Sequence, residues 1–192
     1  MKLFLVRHGQ TTANNQKIYV GQSDVMLTEE GRQQALRIRP ILAKFPFEKV
    51  YSSDLSRAVD TQELALPFEG AVRTKLLREM DVGTAQGLAY GEPFKNVSAE
   101  DRRKYGYTLF GGENRAMVCE RFRAFLKELE SDPCEYVAAF AHAGLISCAA
   151  QVVLECESLA GKLYNPNCCI HVLEYIGGKW QILAWNYGLE IE

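Results

Sequence analysis

Short apolar runs alternate along this chain with longer segments whose apolar residues recur at the spacing of a helix. Runs of this length, bounded by polar residues, predict buried strands. The predicted strands in the first three quarters of the chain are Leu3–Val6, Lys49–Ser52, Ala71–Thr74 and Glu135–Ala141. Strands that alternate with helices favour a mainly parallel sheet with helices packed on both of its faces. The sequence therefore predicts a three-layer α/β/α fold.

The segments between these runs carry the start and stop signals of helices. Thr28 has a side chain suited to an N-cap, and Glu29 and Glu30 follow it in the first turn, where carboxylates favour the helix dipole. Pro67 ends a second helical pattern. The helices predicted after Thr28 cover residues 29–42, 54–66, 113–130 and 145–155.

Residues 81–111 interrupt the alternation. They contain several glycines and little apolar periodicity, which predicts an irregular excursion that shapes a site. After the last helix, residues 168–175 and 179–185 predict two strands joined by a tight turn. A chain of 192 residues is long enough for one α/β domain with a full core. We therefore expect a single domain, residues 1–192, with a capping excursion at about 81–111.

The charge balance and the cysteines argue against several classes of function. The net charge is −2 and no block of lysine and arginine stands out, so we expect no nucleic-acid or membrane partner. The apolar run before Arg7 is far too short for a signal peptide, which predicts a cytoplasmic protein. Six cysteines without a C-x-x-C motif predict buried thiols in a reducing compartment. We expect no metal site.

Chemically active side chains follow several predicted strands at the points where the strands end. Arg7 and His8 follow the first strand, Arg57 lies just beyond the second, Glu79 lies beyond the third, and His142 follows the fourth. In open parallel sheets, ligands bind beyond the carboxyl ends of the strands. We therefore expect these five side chains to lie at one edge of the sheet.

This set of side chains has the chemistry of phosphoryl transfer. The planar forks of Arg7 and Arg57 match phosphate oxygens. A neutral His8 is a nucleophile, and His142, if protonated, adds positive charge beside the transferring group. Glu79, if held protonated, can donate a proton to the leaving alkoxide. The residues predict transfer of a phosphoryl group to His8 and then to water or a hydroxyl, with no step that requires a metal.

Motifs along most of the chain resemble, in the same order, those of the histidine phosphatase superfamily, which includes the cofactor-dependent phosphoglycerate mutases. RHGQTTAN resembles the pattern R-H-G-[EQ]-T-x-x-N, and YSSDLSRAVDTQELA resembles S-S-x-L-x-R-A-x-x-T-A. GQSDVMLTEEGRQQA resembles G-x-x-D-x-x-L-T-x-x-G-x-x-Q-A. LREMDVG, GGEN and FAHAGLI complete the resemblance.

The resemblance implies a phosphoglycerate mutase-like fold and a set of site residues. It implies that His8 is the phosphorylated nucleophile and that Glu79 is the proton donor. The residues that it places around the phosphoryl group or in contact with the substrate are Arg7, Asn14, Gly21, Arg57 and His142. It implies that the excursion at 81–111 caps the site and that no metal ion or other cofactor is needed.

The sequence also departs from the family patterns. Ala143 follows His142 where glycine is usual, so we expect a constrained backbone there. The stretch Gly83–Gly87 lacks the aromatic residue and the acid of the phosphatase pattern G-x-W-E-G. Mutases typically carry E-R-H-Y-G where this chain has Glu79–Gly83, and threonine where it has Val20. The absence of those basic and hydroxyl contacts favours a phosphatase over a mutase.

We therefore expect a metal-independent phosphomonoesterase, a phosphoric monoester hydrolase of the histidine acid type, that acts on a small phosphorylated metabolite through a phosphohistidine on His8. The chain length and Asp81, two residues after Glu79, resemble the α-ribazole phosphatases, although sugar-phosphate and nucleotide phosphatases have similar motifs. The alternatives are a phosphoglycerate mutase and a non-catalytic phosphometabolite-binding protein. His171, within a predicted strand, is expected to be structural.

Overall fold

Six strands form one mixed sheet in the part of the chain that the computed structural model describes, residues 1–156, 159 and 162–188. The strands are β1 (Lys2–Arg7), β2 (Lys49–Ser53), β3 (Val72–Thr74), β4 (Tyr136–Ala141), β5 (Ile170–Ile176) and β6 (Lys179–Ala184). They lie in the order β3-β2-β4-β1-β5-β6. The first four strands of this order are parallel, whereas β5 runs antiparallel to both β1 and β6. The prediction of a mainly parallel sheet is confirmed.

Helices cover both faces of the sheet. The helices are α1 (Thr12–Gln16), α2 (Glu29–Leu42), α3 (Ser56–Ala65), α4 (Ala99–Tyr105), α5 (Arg115–Leu129) and α6 (Ala143–Leu154). In β1, Leu3 and Leu5 belong to the core beneath α5 and α6, and Phe4 and Val6 belong to the core beneath α2 and α3. Because successive side chains of a strand point to opposite faces, a strand covered on both faces is apolar throughout. The predicted three layers are therefore confirmed.

The excursion at 81–111 contains a helix that the sequence pattern did not predict. Helix α4 has no buried residue, so its sequence has no apolar stripe. Its N-cap, Ser98, accepts a hydrogen bond from the N–H of Asp101 at 3.0 Å. The remaining ordered parts are short 3₁₀ turns, at Gly83–Ala85, Glu92–Phe94 and Gly106–Phe110. Only the capping signals, an N-cap serine with acids in the first turn and bases in the last, could have revealed α4.

Backbone hydrogen bonds tie the excursion to the loop that follows α1. The N–H of Tyr19 donates to the Leu88 carbonyl at 2.9 Å, and the N–H of Gly87 donates to the Tyr19 carbonyl at 2.8 Å. The N–H of Tyr90 donates to the Lys17 carbonyl at 2.9 Å. These bonds hold the excursion against the loop that follows α1.

The start of α2 packs directly against the segment that follows β1. Thr28 caps α2 as predicted, since its hydroxyl accepts the N–H of Gly31 at 3.0 Å, and its own N–H donates to the Gln10 carbonyl at 2.9 Å. A side chain at Gly31 would overlap the backbone of Gln10, and one at Gly9 would overlap the carbonyl of Gly31. This glycine-to-backbone contact fixes the position of the residues beyond β1.

We predict that Gly31→Ala destabilises the protein by about 1–3 kcal/mol because the added methyl group displaces the Gln10 backbone. In an unobstructed helix the same change would stabilise by roughly 1 kcal/mol, so the sign of the effect is diagnostic. Urea unfolding measures it. Gln33→Ala, at an exposed position of the same helix, is the control and should change the free energy of unfolding by less than about 0.5 kcal/mol. A stabilised Gly31→Ala variant would contradict the prediction.

Candidate active site

The carboxyl ends of β1 and β4 bring two histidines together. The two strands pair in parallel with Arg7 opposite Ala141, so His8 and His142 leave the sheet side by side. The N–H of His8 donates to the Ala141 carbonyl at 3.0 Å, and the two imidazole centroids lie 5.1 Å apart. Both side chains are buried. The two histidines meet at one sheet edge because of strand pairing, although they are far apart in the sequence.

The protonation of His8 follows from its hydrogen bond. Its Nδ1 lies 2.7 Å from the carbonyl oxygen of Gly9. A carbonyl can only accept, so Nδ1 carries the proton. Burial, followed by the charges of Arg57 and Arg7, lowers the pKa of His8 well below its usual value of 6.5. His8 is therefore neutral, and its Nε2 has a free lone pair, which is the state required of a nucleophile.

Arg57, on α3, fixes the protonation of His142. Its Nε donates to His142 Nδ1 at 3.2 Å, and its Nη1 and Nη2 donate to the carbonyls of Ser23 and Gly21, both at 2.8 Å. Because Nδ1 accepts, a neutral His142 has its proton on Nε2, which is buried and has no hydrogen-bond partner among the described residues. Burial and the Arg57 charge lower the pKa of His142 well below 6.5. His142 thus offers an N–H donor, not the full positive charge expected of a protonated imidazole.

Arg7 and Asn14 complete the polar wall beside His8. A guanidinium nitrogen of Arg7 donates to the Asn165 carbonyl, whereas its buried Nε has no partner within the described part of the chain. The side-chain oxygen of Asn14 accepts from the N–H of Thr11 at 3.1 Å and from Asn167 Nδ2 at 3.3 Å. The oxygen of Asn14 is therefore occupied, and its Nδ2 is left to donate to a ligand.

Two backbone N–H groups hold the Glu79 carboxyl group in place. Oε1 accepts from the N–H of Met80 at 2.8 Å, and Oε2 accepts from the N–H of Gly144 at 3.1 Å. Gly144 lies in the first turn of α6, and any side chain there would overlap Oε1. The absence of a side chain at Gly144 is therefore a requirement of the Glu79 position.

A partly buried ion pair that sequence reasoning missed supports the backbone of Glu79. Arg121 and Glu113 form two hydrogen bonds, at 3.3 and 3.0 Å. The guanidinium of Arg121 also donates to the backbone carbonyls of Arg78 at 2.8 Å and Glu79 at 3.3 Å, and Glu113 accepts the N–H of Asp81 at 2.8 Å. The pair holds the backbone on both sides of Glu79. The only sequence signal for this pair is the GGEN motif, which contains Glu113.

A cavity of about 530 Å³ opens at this edge of the sheet. Six of the predicted site residues line it, namely Arg7, His8, Asn14, Gly21, Arg57 and Glu79. His142 is not among the lining residues, but it is fully buried and its ring centroid lies 5.1 Å from that of His8. Gly21 has a φ of +57°, which favours glycine, and a Cβ there would lie 2.8 Å from a methyl carbon of Val82. The structure thus brings all seven predicted residues to one place.

The outer part of the cavity is lined by residues that sequence reasoning missed or left undecided. Tyr19, Tyr90 and Tyr107 form an aromatic wall, with ring centroids 4.9 Å apart for Tyr19 and Tyr90 and 5.4 Å apart for Tyr19 and Tyr107. Arg102 from α4 and Arg115 from the start of α5 also line the cavity. Basic and hydroxyl groups are therefore present in the cavity, although the stretch after Glu79 does not supply them.

Ala143 differs from the sequence-based expectation, and Arg78 lies outside the cavity. Ala143 is the first residue of α6 and does not have a positive φ, so its backbone does not require glycine. Arg78, which follows β3, does not line the cavity. It forms two hydrogen bonds of 2.6 Å with the carboxylate of Asp54, and this pair fixes the loop after β2.

The residues outside the cavity bear on the expectations for metal ions, cysteines and His171. Within the described ranges there is no group of three or more metal-ligating side chains and no disulfide. Among the described residues, no helix has the length and apolar character needed to cross a bilayer. Burial raises the pKa of Cys168 and Cys169 to about 12, which keeps both as thiols. His171 is buried with its ring 3.8 Å from that of Trp185, away from the cavity.

The three histidines predict that stability falls in mild acid. In the unfolded chain each imidazole takes up a proton near pH 6.5, whereas burial lowers the folded-state pKa of His8, of His142 and, to about 3, of His171. Below pH 6.5 the unfolded chain therefore binds up to three more protons than the folded protein. The free energy of unfolding should fall by up to about 4 kcal/mol per pH unit as the pH decreases.

Urea unfolding between about pH 7.5 and pH 5 measures this dependence. His171→Asn removes one of the three groups and should reduce the slope by about a third. Stability that is constant or increases towards pH 5 would show that the histidines are not held neutral.

Comparison with known proteins places the chain in a family. The profile of the histidine phosphatase superfamily (branch 1) matches residues 3–188. Phosphoglycerate mutase-like protein 4 of Arabidopsis thaliana is 29% identical over 196 aligned residues, which cover 96% of this chain and 84% of that protein. The structure of a mycobacterial glucosyl-3-phosphoglycerate phosphatase in complex with VO3 is 30% identical, with a TM-score of 0.83, and the match covers 96% of this chain and 98% of that one.

A candidate α-ribazole-5′-P phosphatase from Escherichia coli has the same fold. Its TM-score is 0.81 with 99% of both chains covered, and its sequence identity is 22%. The order of the motifs, the mainly parallel sheet and the profile match over nearly the whole chain agree. The protein belongs to the histidine phosphatase superfamily, whose members include phosphatases and mutases.

Proposed function

We propose that this protein is a phosphomonoesterase that hydrolyses a small phosphorylated metabolite through a phosphohistidine on His8, without a metal ion. The observation that carries the proposal is the 2.7 Å contact between His8 Nδ1 and the Gly9 carbonyl oxygen. Because a carbonyl only accepts, this contact assigns the proton to Nδ1 and leaves Nε2 with a lone pair. Arg7 and Arg57 line the same cavity, so the nucleophile lies beside two groups that bind phosphate oxygens.

In the first step, His8 Nε2 attacks the phosphorus atom and the bond to the ester oxygen breaks. The electron pair of that bond goes to the ester oxygen, which takes a proton from Glu79 and leaves as the alcohol. Arg7 and Arg57 stabilise the charge on the equatorial oxygens. The unpartnered Nε2–H of His142 donates to one of these oxygens, and the free amide of Asn14 provides a further contact.

In the second step, water attacks the phosphorus of the phosphohistidine. Glu79, now a carboxylate, accepts a proton from the water as the new P–O bond forms. The P–N bond breaks, its electron pair returns to His8 Nε2, and inorganic phosphate is released. The Glu113–Arg121 pair holds the backbone of Glu79 and so keeps its carboxyl group in place for both steps.

A mutase is the second candidate, because one observation favours it. Arg102, Arg115 and the tyrosine wall supply the basic and hydroxyl contacts that the stretch after Glu79 lacks. In a mutase, the phosphoryl group of His8 would pass to a hydroxyl of the substrate skeleton rather than to water. The two activities therefore differ in their product, which is an alcohol and phosphate in one case and an isomeric ester in the other.

We predict that the purified protein releases phosphate from at least one ester in a panel and that His8→Ala lowers the rate by roughly 1,000-fold or more, because the nucleophile is lost. The panel contains 3-phosphoglycerate, glucosyl-3-phosphoglycerate, O-phosphoserine, α-ribazole 5′-phosphate, sugar phosphates and nucleotides. Phosphate is measured directly, and ³¹P NMR detects isomeric esters. A chelator such as EDTA should not change the rate.

Each contrary outcome has a defined meaning. Isomerisation without phosphate release would establish the mutase. Loss of activity with EDTA, or activity that persists in a folded His8→Ala variant, would overturn the proposed mechanism. Thermal stabilisation by phosphate or vanadate without turnover of any ester would indicate a phosphometabolite-binding protein.

We predict that Gly144→Ala lowers kcat on alkyl phosphates by about 100-fold, because the new methyl group displaces the Glu79 carboxylate. p-Nitrophenyl phosphate has a leaving group that needs no proton, so its kcat for the first step should fall much less. Single-turnover kinetics on both esters measures the difference.

Ala143→Gly is the matched control. It changes the neighbouring residue of the same helix without adding an atom near Glu79, and both esters should keep rates within about threefold of the original protein. Equal losses on alkyl and p-nitrophenyl phosphates in Gly144→Ala would show that Glu79 does not protonate the leaving group.

A further inference from the structure

Two polar side chains from different helices contact the backbone beside His8 without lining the cavity. Gln34 is on α2 and Thr61 is on α3, and neither is among the described residues that line the cavity. They occupy the glutamine and threonine positions of the motifs G-x-x-Q-A and R-A-x-x-T-A. Thr61 is fully buried, and Gln34 is partly buried. Because neither side chain reaches the cavity, both act on the reaction only through the residues that they hold.

Thr61 holds the peptide group between His8 and Gly9. Its hydroxyl donates to the Arg57 carbonyl at 2.6 Å, so its oxygen is left to accept, and it accepts the N–H of Gly9 at 3.0 Å. The carbonyl of the same peptide group, that of His8, accepts from Asn167 Nδ2 at 3.0 Å. Side chains from other parts of the chain therefore fix both polar ends of this peptide group.

Gln34 holds the next peptide group, between Gly9 and Gln10. Its Oε1 accepts the N–H of Gln10 at 2.9 Å. The carbonyl and the N–H of a planar trans peptide point in opposite directions, so a bond that fixes the N–H of Gln10 also directs the carbonyl of Gly9. That carbonyl lies 2.7 Å from His8 Nδ1. Gln34 therefore acts on the contact that determines which nitrogen of His8 carries the proton.

The residue between these two peptide groups cannot fix their directions by itself. A side chain at Gly9 would overlap the carbonyl of Gly31, so only glycine fits there. Glycine has the least restricted backbone dihedral angles of all residues. The bonds from Thr61 and Gln34 therefore supply the restriction that a side chain at Gly9 would otherwise provide.

The other two histidines have the opposite arrangement of the ring proton. The Nδ1 atom of His142 accepts from Arg57 at 3.2 Å, and that of His171 accepts the N–H of Asn186 at 3.2 Å. Each of these neutral rings therefore has its proton on Nε2. Of the three histidines in the chain, His8 is the one whose Nδ1 faces an acceptor. The position of its proton is thus a property of its own surroundings and can be distinguished by spectroscopy.

We propose that Gln34 and Thr61 are positioning residues that fix the two peptide groups around Gly9 and thereby hold the proton of His8 on Nδ1. This inference rests on the proposed function, because it gives the two side chains a part in making His8 Nε2 the nucleophile. When either bond is lost, the Gly9 carbonyl can turn away, and the proton is then shared between the two ring nitrogens. Only the form with a lone pair on Nε2 attacks phosphorus.

¹⁵N NMR of histidine-labelled protein without ligand measures the position of the proton. The two neutral forms give different chemical shifts for Nδ1 and Nε2, and the spectrum of His8→Ala identifies the signals of His8. The original protein should show one ring protonated on Nδ1 and two protonated on Nε2. Gln34→Met and Thr61→Val keep nearly the same shape but have no side-chain oxygen, and each should convert His8 to a mixture of the two forms.

Single-turnover kinetics on the ester that is hydrolysed fastest measures the consequence for phosphoryl transfer to His8. Gln34→Met and Thr61→Val should each react about tenfold more slowly, which corresponds to the loss of one hydrogen bond. Competitive inhibition by inorganic phosphate should change by less than about threefold, because Arg7 and Arg57 are retained. A structural defect of the whole site would weaken phosphate binding together with the rate.

Three control variants complete the experiment. Gln34→Glu and Thr61→Ser keep an oxygen that accepts a hydrogen bond, and both should preserve the proton on Nδ1 and a rate within about threefold of the original. Gln33→Met makes the same change at the exposed neighbouring position of α2 and should alter neither property. Equal losses of rate in Gln34→Met and Gln34→Glu, or in Thr61→Val and Thr61→Ser, would overturn the positioning role. If Thr61→Val does not fold, the Gln34 variants decide the question.

The two measurements separate the failure of this inference from the failure of the proposed function. If the proton of His8 moves in both oxygen-free variants but no ester is hydrolysed by any protein, the positioning role is correct and the hydrolase is not. If esters are hydrolysed and His8 keeps its proton on Nδ1 in both variants, the hydrolase is supported and the positioning role is rejected.

Discussion

Four arginine side chains line one cavity, in which Glu79 is the only acidic side chain among the described lining residues. This concentration of positive charge is the constraint on which the site depends. Burial of Arg57 costs free energy, and the like charges of the four arginines repel one another. Backbone carbonyls of Gly21 and Ser23 hold Arg57 in place, but such partial charges do not neutralise it. The two apolar cores of the sheet offset the cost. The same positive field and the same burial keep His8 and His142 neutral.

The parts of the fold that depend on local patterns could be predicted from the sequence. The apolar run Leu3–Val6 is buried on both faces, so it has the composition of an inner strand, and its end at Arg7 and His8 is unambiguous. Thr28 begins α2 because its side chain caps the helix. Parallel pairing then brings the end of β1 beside the end of β4. The position of His8 next to His142 followed from these local signals and from one rule about parallel sheets.

The outer cavity could not be predicted, because no local pattern places its residues. Arg102 is on a helix without a buried face. Arg115 begins a helix whose apolar stripe does not predict where the side chains of its first turn lie. The bond between Arg121 and the carbonyl of Glu79 joins residues of different elements. The protonation of His142 was also outside the reach of the sequence, since it depends on the depth of burial and on the direction of the Arg57 Nε–H bond. These properties arise only when distant segments pack together.

The neutral state of His142 bears on how a catalytic cycle ends. Under the proposed chemistry, the oxygens of the product phosphate take the positions that the phosphoryl oxygens held during transfer. A hydrogen bond from a neutral imidazole is roughly half as strong as one from an imidazolium, so His142 aligns the phosphate without adding a further full charge to its binding. The free energy that holds the product is correspondingly smaller. In the proposed reaction, a neutral His142 therefore favours release of phosphate more than an imidazolium at the same position would.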